Sequence, residues 1–554
     1  MNGLLCCAFD ALYTRRRAWI LLLFLSAFTI IDIVELPTFH FPELKKWALL
    51  ICFDAFKATA ILFIINVVAP RSRRLMWLAV AFYGLVALIN VIAYKFYGFG
   101  ITRKLMVVVA QTTSGECAEF MQGLLRNLVS LFADPWTLFV VAGGIAGIYA
   151  IRFMSRRIFF FTVVSLSVAG LALYLTVCWP VNRGRTAYFM CLRIPAYMHQ
   201  TYVSQKNLMA QYRLRTPFPD ADKAVCTRGD VNVIVVLGES ASRAHHSLYG
   251  YRLDTSPAMT GITDSLYVFT DALSPSMLTE PNLEHILTFR PDYADDGEWY
   301  EYPAIFDLFD AAGYSTYWLS NQEHARVSGY TADVLTAAAR HKTFLRENAA
   351  DALVDPYDEA LLPAFRNYMA DGNHPKMLWV HLHGSHTWYR NRYPAGRQVF
   401  TGRDVTRAYP RKKLTVGEAD IVADYDNTIR YTDSLLGVMR REVAAMSTPA
   451  VMIYFSDHGE NVYDEDGLNG RDARFARIPF IAYANNAFRN KYPDDATAIG
   501  RACHRPFSTA DVVYMIMRLT GIKHPLYDST RDVTSALYTA HTRYVDGIPW
   551  NENP

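Results

Sequence analysis

Several patterns that would identify other classes of protein are missing from this sequence. No Cys-x-x-Cys pair occurs, which excludes the cysteine-rich zinc modules. No internal repeat and no low-complexity tract occur either, so the chain is not a repeat protein. The net charge is only +3 and no basic stretch carries interleaved aromatic residues, so we expect no nucleic-acid partner.

Charged residues are scarce in five apolar runs near the start of the chain. These runs cover 18–34, 47–69, 76–96, 136–151 and 158–179. A transmembrane helix needs about 20 mostly apolar residues, so the runs predict a five-helix transmembrane domain over residues 1–180. The alternative is a set of buried helices in a large soluble core, but the basic residues beside the runs favour the membrane.

Arginines fall on alternate connections between these runs, at 15–17, 71–74 and 152–157. Because positive charge is retained on the cytoplasmic side, we expect these segments and the N-terminus to be cytoplasmic. The first run lacks a small-residue cleavage site, so we expect it to remain as an anchor. With five spans, everything after residue 180 would lie outside the cytoplasm.

Three further segments follow from this organisation. Residues 181–228 have no sustained period and predict a linker with short helices, and 229–554 predict an exported α/β domain. Residues 105–133 carry apolar side chains at helical spacing, which fits a helix in the membrane interface or a plain surface helix. In the exported part Cys226 and Cys503 could form a disulfide, but the sequence cannot determine which cysteines pair.

Four short apolar runs in the second half each end at a polar cluster. They cover 233–237, 317–319, 378–380 and 451–455. Unalternating runs of this length are typical of parallel strands that are buried on both faces. In open α/β sheets the ligand binds beyond the carboxyl ends of such strands. The polar clusters therefore mark a candidate site on a mostly parallel sheet.

Two of these clusters contain metal-ligating side chains. Glu239 follows the first run, and Asp457 with His458 follows the fourth. A carboxylate buried at a strand end needs a partner, and this oxygen and nitrogen set suits Zn²⁺. The alternatives are an ion pair between Glu239 and Arg243 and a helix-capping role for His458. His383 and His386, after the third run, favour the metal.

Two hydroxyl groups are candidates for a nucleophile. Ser240 is adjacent to Glu239, where a metal could activate it. Thr279 precedes a helical run at 283–289, where the helix dipole would stabilise negative charge. A helix N-cap is the structural alternative for Thr279. The residues alone do not decide between the two hydroxyls.

Several short motifs carry a resemblance to a known family. They are Gly-Glu-Ser at 238–240, Ser-Leu-Tyr-Gly-Tyr at 247–251, Thr-x-Pro at 255–257, Gly-Ser-His at 384–386, Asn-Arg-Tyr-Pro at 391–394, Asp-Asn-Thr-Ile at 426–429, Tyr-Thr-Asp at 431–433 and Ser-Asp-His-Gly-Glu at 456–460. Together with the five apolar runs, they make the chain similar to the bacterial phosphoethanolamine transferases. These are membrane-anchored members of the alkaline phosphatase and sulfatase superfamily.

The resemblance implies a fold and a set of site residues. The fold is a five-helix transmembrane domain joined to an alkaline phosphatase-like α/β domain. Thr279 takes the position of the nucleophile. The implied zinc ligands are Glu239, Thr279, Asp457 and His458. His386 matches a substrate-region histidine, as general acid or phosphate holder, and Asn321 and Gln322 fall where substrate contacts lie.

The implied reaction moves phosphoethanolamine from phosphatidylethanolamine to a surface glycolipid, either a lipopolysaccharide core sugar or lipid A. A covalent phosphoethanolamine–Thr279 intermediate would form in a monomeric, multi-pass protein of the bacterial inner membrane, with its catalytic domain in the periplasm. The alternative is a phosphoglycerol transferase or another phospho- or sulfohydrolase of the superfamily. The Cys/Ser-x-Pro-x-Arg motif of common sulfatases is absent around Thr279.

One departure from the family bears on metal number. The lipid A-modifying branch has a further His-Gly pair about a dozen residues after its Asp-His, where this chain has Asn469-Gly470. A second zinc site is therefore not expected unless His383 or His504 takes that place. The segments 247–251 and 461–464 are more similar to the branch that modifies lipopolysaccharide core sugars.

Overall fold

A computed structural model describes the helix at 73–97 and nearly all of the second half of the chain. In that half it covers 218 and 220–550, apart from 263–264, 294–298, 324–330, 347–355, 374 and 464–472. Isolated residues between 54 and 203 are also described. The chain divides into two compact units, residues 1–112 with 120–204 and residues 113–119 with 205–554.

The first unit contains one long described helix, α1 (Arg73–Tyr97), which covers the third apolar run. Several of its apolar side chains are exposed, among them Trp77 and Leu78 at 56% and 66%. None of the helices in the described ranges is long and apolar enough to cross a membrane. The other four runs and the helix expected at 105–133 lie wholly or largely outside the described residues.

The second unit is built on a seven-stranded sheet. Its strands are β1 (Asn232–Gly238), β2 (Leu266–Phe269), β3 (Ser315–Glu323), β4 (His341–Arg346), β5 (Lys376–His381), β6 (Ala450–Ser456) and β7 (Phe480–Ala484). The order across the sheet is β2-β7-β6-β1-β5-β3-β4. Only β7 runs against the others, because both of its pairings are antiparallel. The prediction of an α/β domain with a mostly parallel central sheet is confirmed.

Helices and short turns surround this sheet. The α-helices are α2 (Pro257–Thr260), α3 (Thr279–Ile286), α4 (Ile305–Ala311), α5 (Thr331–Thr336), α6 (Leu361–Ala370), α7 (Gly402–Ala408), α8 (Val416–Ala444), α9 (Ala473–Ala476), α10 (Asn486–Lys491), α11 (Pro493–Ala502) and α12 (Val512–Thr520). Two-residue strands pair outside the main sheet: Val225–Cys226 with Ile522–Lys523, Ala272–Leu273 with Phe507–Ser508, and Tyr544–Val545 with Ile548–Pro549.

The four apolar runs are the neighbouring central strands β6, β1, β5 and β3. Alternate residues of β1 enter two separate cores, with Val233 and Val235 in one and Ile234 and Val236 in the other. Helices α4, α11 and α12 cover the first face, and α6 and α8 cover the second. Because both faces are buried, these strands carry apolar side chains at successive positions.

Strand register brings the polar ends together. Gly238 at the end of β1 pairs with Ser456 at the end of β6, so the residues that follow both strands are neighbours. On the other side of β1, Leu237 pairs with His381 at the end of β5. His381 in turn pairs with Ser320 in β3. Four polar clusters that are far apart in sequence therefore meet at one edge of the sheet.

The disulfide considered between Cys226 and Cys503 does not form, since both cysteines are free. The Sγ atom of Cys226 donates to the carbonyl oxygen of Thr520 at 3.7 Å. That of Cys503 donates to the carbonyl oxygen of Ile499, one helical turn earlier, at 3.5 Å. Each thiol therefore has a backbone acceptor of its own.

Asn485 ties the start of β6 to the start of α10. Its Oδ1 accepts from the backbone N–H groups of Ala450 at 3.0 Å and Phe488 at 2.9 Å, and its Nδ2 donates to the carbonyl oxygen of Thr448 at 2.9 Å. The side chain is fully buried. Asn485→Ala should lower the free energy of unfolding by about 2–3 kcal/mol, because it removes a helix cap and strands a buried N–H.

Denaturant unfolding of the purified protein would measure this change. Asn486→Ala is the matched control, because the Asn486 side chain is exposed. Among the described hydrogen bonds it only accepts one from Arg489. We expect the control to stay within about 0.5 kcal/mol of the parent. Equal stability of the two variants would contradict the assigned role of Asn485.

Candidate metal centre

The hydroxyl of Thr279 lies against the side chains that follow β1 and β6. Thr279 Oγ1 donates to Glu239 Oε1 at 3.1 Å and is 3.3 Å from Oε2. The same oxygen is 3.3 Å from Nε2 of His458. Thr279 begins α3 with Leu278 at the N-cap position, so its hydroxyl faces the carboxylate and does not cap the helix. The structure thus brings Thr279, the predicted nucleophile, next to Glu239 and His458, two of the predicted zinc ligands.

Asp457 completes the group. Ligand atoms of Glu239, Asp457 and His458 all lie within 4.8 Å of one another, and all three residues are buried. Oδ1 of Asp457 accepts from the backbone N–H groups of Ser240 at 3.0 Å and His458 at 2.6 Å. Oδ2 of Asp457 accepts no hydrogen bond from any described residue and lies 3.5 Å from Nε2 of His458. One carboxylate oxygen is therefore left over for a cation.

The histidine presents the nitrogen that a metal would use. Nδ1 of His458 is 2.7 Å from the carbonyl oxygen of Gly459, which can only accept, so Nδ1 carries a proton. Nε2 therefore faces Glu239 and Asp457, at 3.4 and 3.5 Å. A backbone acceptor that fixes the second ring nitrogen is the usual arrangement for a metal-binding histidine. The donor set fits Zn²⁺, for which oxygen and imidazole ligands are common.

The pKa shifts of these three side chains also indicate a site for a cation. Burial opposes the charge on Glu239, but the hydrogen bond and charge of His458 outweigh it and lower the pKa of Glu239. Burial, and then the charge of Glu239, raise the pKa of Asp457. Burial opposes protonation of His458, yet Asp457 and Glu239 raise its pKa to about 10. The two carboxylates thus attract a positive charge, which a divalent cation would supply in place of the proton.

Ser240, the other candidate nucleophile, supports Glu239. Its Oγ donates to Glu239 Oε1 at 2.9 Å, and its backbone adopts a left-handed φ of 54°. The side chain is buried, at 3% exposure, whereas Thr279 is half-buried. The ion pair considered between Glu239 and Arg243 is not among the contacts of the described residues, where the Arg243 guanidinium donates to the carbonyl oxygen of Thr270.

Helix α8 holds the turn that carries Glu239. The hydroxyl of Tyr425 donates to the carbonyl oxygen of Ser240 at 2.7 Å and accepts from the N–H of Ser242 at 2.7 Å. Next to it, Asp426 Oδ1 is 2.7 Å from His245 Nδ1, and its Oδ2 accepts from the hydroxyl of Tyr251 at 2.8 Å. Tyr425 thus holds the turn directly, and the motif residues Tyr251 and Asp426 bond to each other beside it.

The loop after β5 packs directly on Glu239. The N–H of Ser385 donates to the carbonyl oxygen of Glu239 at 2.9 Å. Gly384 has φ +53°, and a Cβ there would lie 2.9 Å from the backbone of Glu239, so only glycine fits. His386 is half-buried in this loop, where a positive charge on its ring would lower the pKa of Glu239. Gln322, at the end of β3, donates to Glu239 Oε2 at 3.4 Å.

Asn321 does not join the cluster. It is fully buried and donates to Asp358 Oδ1 at 2.8 Å and to the carbonyl oxygen of Pro356 at 2.9 Å. Asp358 in turn accepts from the N–H groups of His383 at 2.8 Å and Gly384 at 2.9 Å. Asn321 therefore supports the loop after β5 from behind, and its predicted substrate contact stays a prediction.

His381 belongs near the cluster although sequence reasoning did not assign it a role. It is the last residue of β5, it is buried, and its charged form would lower the pKa of Glu239. Burial lowers the pKa of His381 to about 4, so its ring is neutral. The available signal was its position at the end of an apolar run. His504, considered for a second zinc, instead lies 3.2 Å from the hydroxyl of Thr270.

Comparison with known proteins places this geometry in context. The sulfatase family model matches residues 231–522. The phosphoethanolamine transferase EptC of Escherichia coli strain K12 is 28% identical over 331 residues, covering 58% of this chain and 56% of the relative. The phosphoethanolamine transferase CptA of Salmonella typhimurium strain LT2 is 28% identical over 332 residues, with the same coverage. The alignments thus span about half the length of these curated relatives.

Solved structures share the fold. The C-terminal periplasmic domain of EptC from Escherichia coli, in complex with Zn, matches with a TM-score of 0.54 and 24% identity, covering 61% of this chain and 95% of that one. The integral membrane protein lipooligosaccharide phosphoethanolamine transferase A (EptA) from Neisseria meningitidis matches with a TM-score of 0.61 and 20% identity, covering 95% and 97%. The predicted alkaline phosphatase and sulfatase-like fold is confirmed.

Asp457→Asn should weaken zinc binding by at least about 10-fold, because an amide cannot supply the second anionic oxygen. Zinc competition with a coloured chelator on the purified full chain would measure the affinity. Asp230→Asn is the control, since that carboxylate pairs with Lys491 just before β1 begins. Equal zinc affinity in Asp457→Asn and the parent would remove Asp457 from the centre.

Proposed function

We propose that this chain, which belongs to the sulfatase family, transfers phosphoethanolamine from phosphatidylethanolamine to a glycolipid of the bacterial cell surface. The observation that carries the proposal is the Thr279 hydroxyl within 3.3 Å of both Glu239 and His458. The named activity of the EptC and CptA relatives supports the substrate class. The acceptor is a lipopolysaccharide core sugar or lipid A.

The metal of this enzyme is Zn²⁺ in our proposal. Its ligands would be Glu239, Thr279, Asp457 and His458. When bound, zinc would lower the pKa of the Thr279 hydroxyl and offset negative charge on the phosphoryl oxygens. Two observations support this assignment: Oδ2 of Asp457 accepts no hydrogen bond from the described residues, and Nε2 of His458 faces the carboxylates with a proton that the metal would replace. Ser240 and Gln322 would hold Glu239 in position through their hydrogen bonds to its two oxygens.

In the first step Thr279 Oγ1 attacks phosphorus of the donor lipid. The hydroxyl donates a hydrogen bond to Glu239 Oε1, which orients an oxygen lone pair for the new O–P bond, and its proton passes to solvent as that bond forms. The P–O bond to glycerol breaks, and diacylglycerol leaves after its oxygen takes up a proton. That proton balances the one lost by Thr279. His386, half-buried in the adjacent loop, serves as the acid or holds the phosphoryl group.

In the second step an acceptor oxygen replaces Thr279. A hydroxyl or phosphate of the glycolipid attacks the phosphoethanolamine–Thr279 ester, the Oγ1–P bond breaks, and a proton returns to Oγ1. Because the two displacements follow one another at the same phosphorus, Thr279 is the one nucleophile that the protein itself must supply. The buried carboxylates beneath Thr279 and the loop after β5 would keep the ester oriented between the two steps.

We propose that the chain is a monomeric, multi-pass protein of the inner membrane, with a cytoplasmic N-terminus and its catalytic domain in the periplasm. Support comes from the arginines on alternate connections and from the match to an integral membrane protein over 95% of this chain. The five runs within residues 1–180 would be the spans, with a linker at 181–228. Such an anchor keeps the catalytic domain at the membrane surface, where the donor lipid is concentrated.

Thr279→Ala should lower transfer by at least about 1,000-fold, because it removes the attacking oxygen. Incubation with headgroup-labelled phosphatidylethanolamine, followed by intact-protein mass spectrometry, would show the added phosphoethanolamine on the parent and its absence on the variant. Ser240→Ala is the matched control and should still form the covalent intermediate. Intermediate formation in Thr279→Ala, with loss in Ser240→Ala, would move the nucleophile to Ser240.

Cells that carry the protein should show surface glycolipids heavier by one phosphoethanolamine group than cells that carry Thr279→Ala. Mass spectrometry of the extracted glycolipids and of their core and lipid A fragments would measure this and identify the acceptor. The variant is the control for protein insertion and expression. A mass increment of phosphoglycerol in place of phosphoethanolamine would favour the alternative transferase and reject the proposed donor.

A further inference from the structure

His383 has two charged donors on one nitrogen and, within the described part of the chain, no partner on the other. Nη1 of Arg346 lies 3.3 Å from its Nδ1, and Nη1 of Arg392 lies 3.4 Å from the same atom. The histidine is 4% exposed, and the two arginines are 5% and 4% exposed. Nε2 of His383 is buried and has no hydrogen-bond partner among the described residues.

This contact fixes the tautomer of His383. A guanidinium group can only donate hydrogen bonds, so Nδ1 must be the accepting nitrogen and Nε2 must carry the proton. Burial, and then the charges of Arg392 and Arg346, hold the pKa of His383 far below its usual value, which keeps the ring neutral. A protonated Nε2 cannot bind a metal, so His383 is not the replacement ligand for a second zinc.

The backbone around His383 is held as firmly as its ring. Asp358 is buried and accepts from the N–H groups of His383 and Gly384. Arg392 donates to the carbonyl oxygen of Thr387 at 2.9 Å, so it anchors the following turn while it contacts the imidazole. The ring therefore has one orientation available to it.

His383 lies in the loop after β5, which contacts the candidate metal centre. Ser385, two residues later, donates its N–H to the carbonyl oxygen of Glu239. The ring centroids of His383 and His386 are 5.5 Å apart. A buried N–H without an acceptor costs free energy, so a donor kept in this state in the loop that packs on Glu239 indicates a ligand with an oxygen to offer.

We propose that His383 donates its Nε2 hydrogen to a non-bridging oxygen of the phosphoryl group under transfer, and that Arg346 and Arg392 are positioning residues that hold the donating tautomer. The inference rests on the proposed function for the identity of the phosphoryl group. A neutral donor that is oriented before the substrate arrives needs no reorganisation as negative charge grows on that oxygen. The arginines behind the ring polarise its N–H further toward donation.

Two substitutions separate the two nitrogens of His383. In His383→Asn the amide oxygen can take the place of Nδ1 and still accept from the arginines, but the donor at Nε2 is lost. In His383→Gln the longer side chain can return an N–H to about the place of Nε2. Inorganic phosphate is the probe, titrated calorimetrically into the zinc-loaded full chain.

We expect His383→Asn to weaken phosphate binding by about 10- to 100-fold while zinc content and melting temperature match the parent, because one hydrogen bond to a charged group is lost. His383→Gln should bind phosphate within about threefold of the parent. Unchanged phosphate affinity in folded, zinc-loaded His383→Asn would overturn the proposal. Should that variant not fold, loss of phosphate binding in folded His383→Gln would overturn it instead.

A double-mutant comparison tests the role of the arginines. Because Arg392 acts through His383, Arg392→Gln should weaken phosphate binding in the parent and add no further loss in the His383→Asn background. Additive losses would show that Arg392 acts independently and would reject its role as a positioning residue.

Phosphate affinity is independent of the headgroup that the enzyme transfers, so the two proposals can fail separately. A parent that moves no phosphoethanolamine, combined with weakened phosphate binding in His383→Asn, would reject the transferase activity and keep the role of His383.

Discussion

The second unit depends on two buried carboxylates that follow adjacent parallel strands. The pairing of Gly238 with Ser456 leaves Glu239 beside Asp457 with no room for either to reach water. Burying two such charges together is strongly unfavourable unless a cation or hydrogen-bond donors compensate them. The protein supplies backbone N–H groups, two hydroxyls and one imidazole. Among the described residues this compensation leaves one oxygen of Asp457 without a hydrogen bond, and the metal ion that we propose would complete it.

Rigidity around this centre comes from the same sheet that creates it. Because both faces of β1 are covered, its end cannot shift without disturbing two cores. The strained turn at Ser240 persists because Tyr425 in α8 holds both of its sides. The loop after β5 is bound to the backbone of Glu239 through Ser385. Binding residues on turns of this kind keep their positions without help from a ligand.

How much the sequence could predict depends on the scale of the feature. Buried parallel strands follow from unalternating apolar runs, and a shared edge then brings Glu239 and Asp457 together. Thr279 could not be chosen over Ser240 on this basis, because both lie near Glu239 and only the packing of α3 directs one hydroxyl at His458. The roles of His383 and Arg346 depend on side-chain directions between β4 and the loop after β5, which no periodicity encodes. The sequence could not decide whether Cys226 and Cys503 pair, and in the structure both are free, each with a backbone acceptor of its own.

The arrangement of charge explains why a phosphate ester could approach this site at all. Glu239 and Asp457 alone would repel a phosphodiester, so positive charge must stand between them and the substrate. A divalent cation at the ligand atoms would supply that charge on one side of the phosphoryl group. The charge of Arg346 and Arg392 lies behind the neutral imidazole of His383, whose directed N–H is the second donor in our proposal. A bare cation in its place would bind substrate and product equally well. A site that transfers a phosphoryl group, as we propose, is better served by such a donor, because its hydrogen bond strengthens mainly as charge develops on the oxygen.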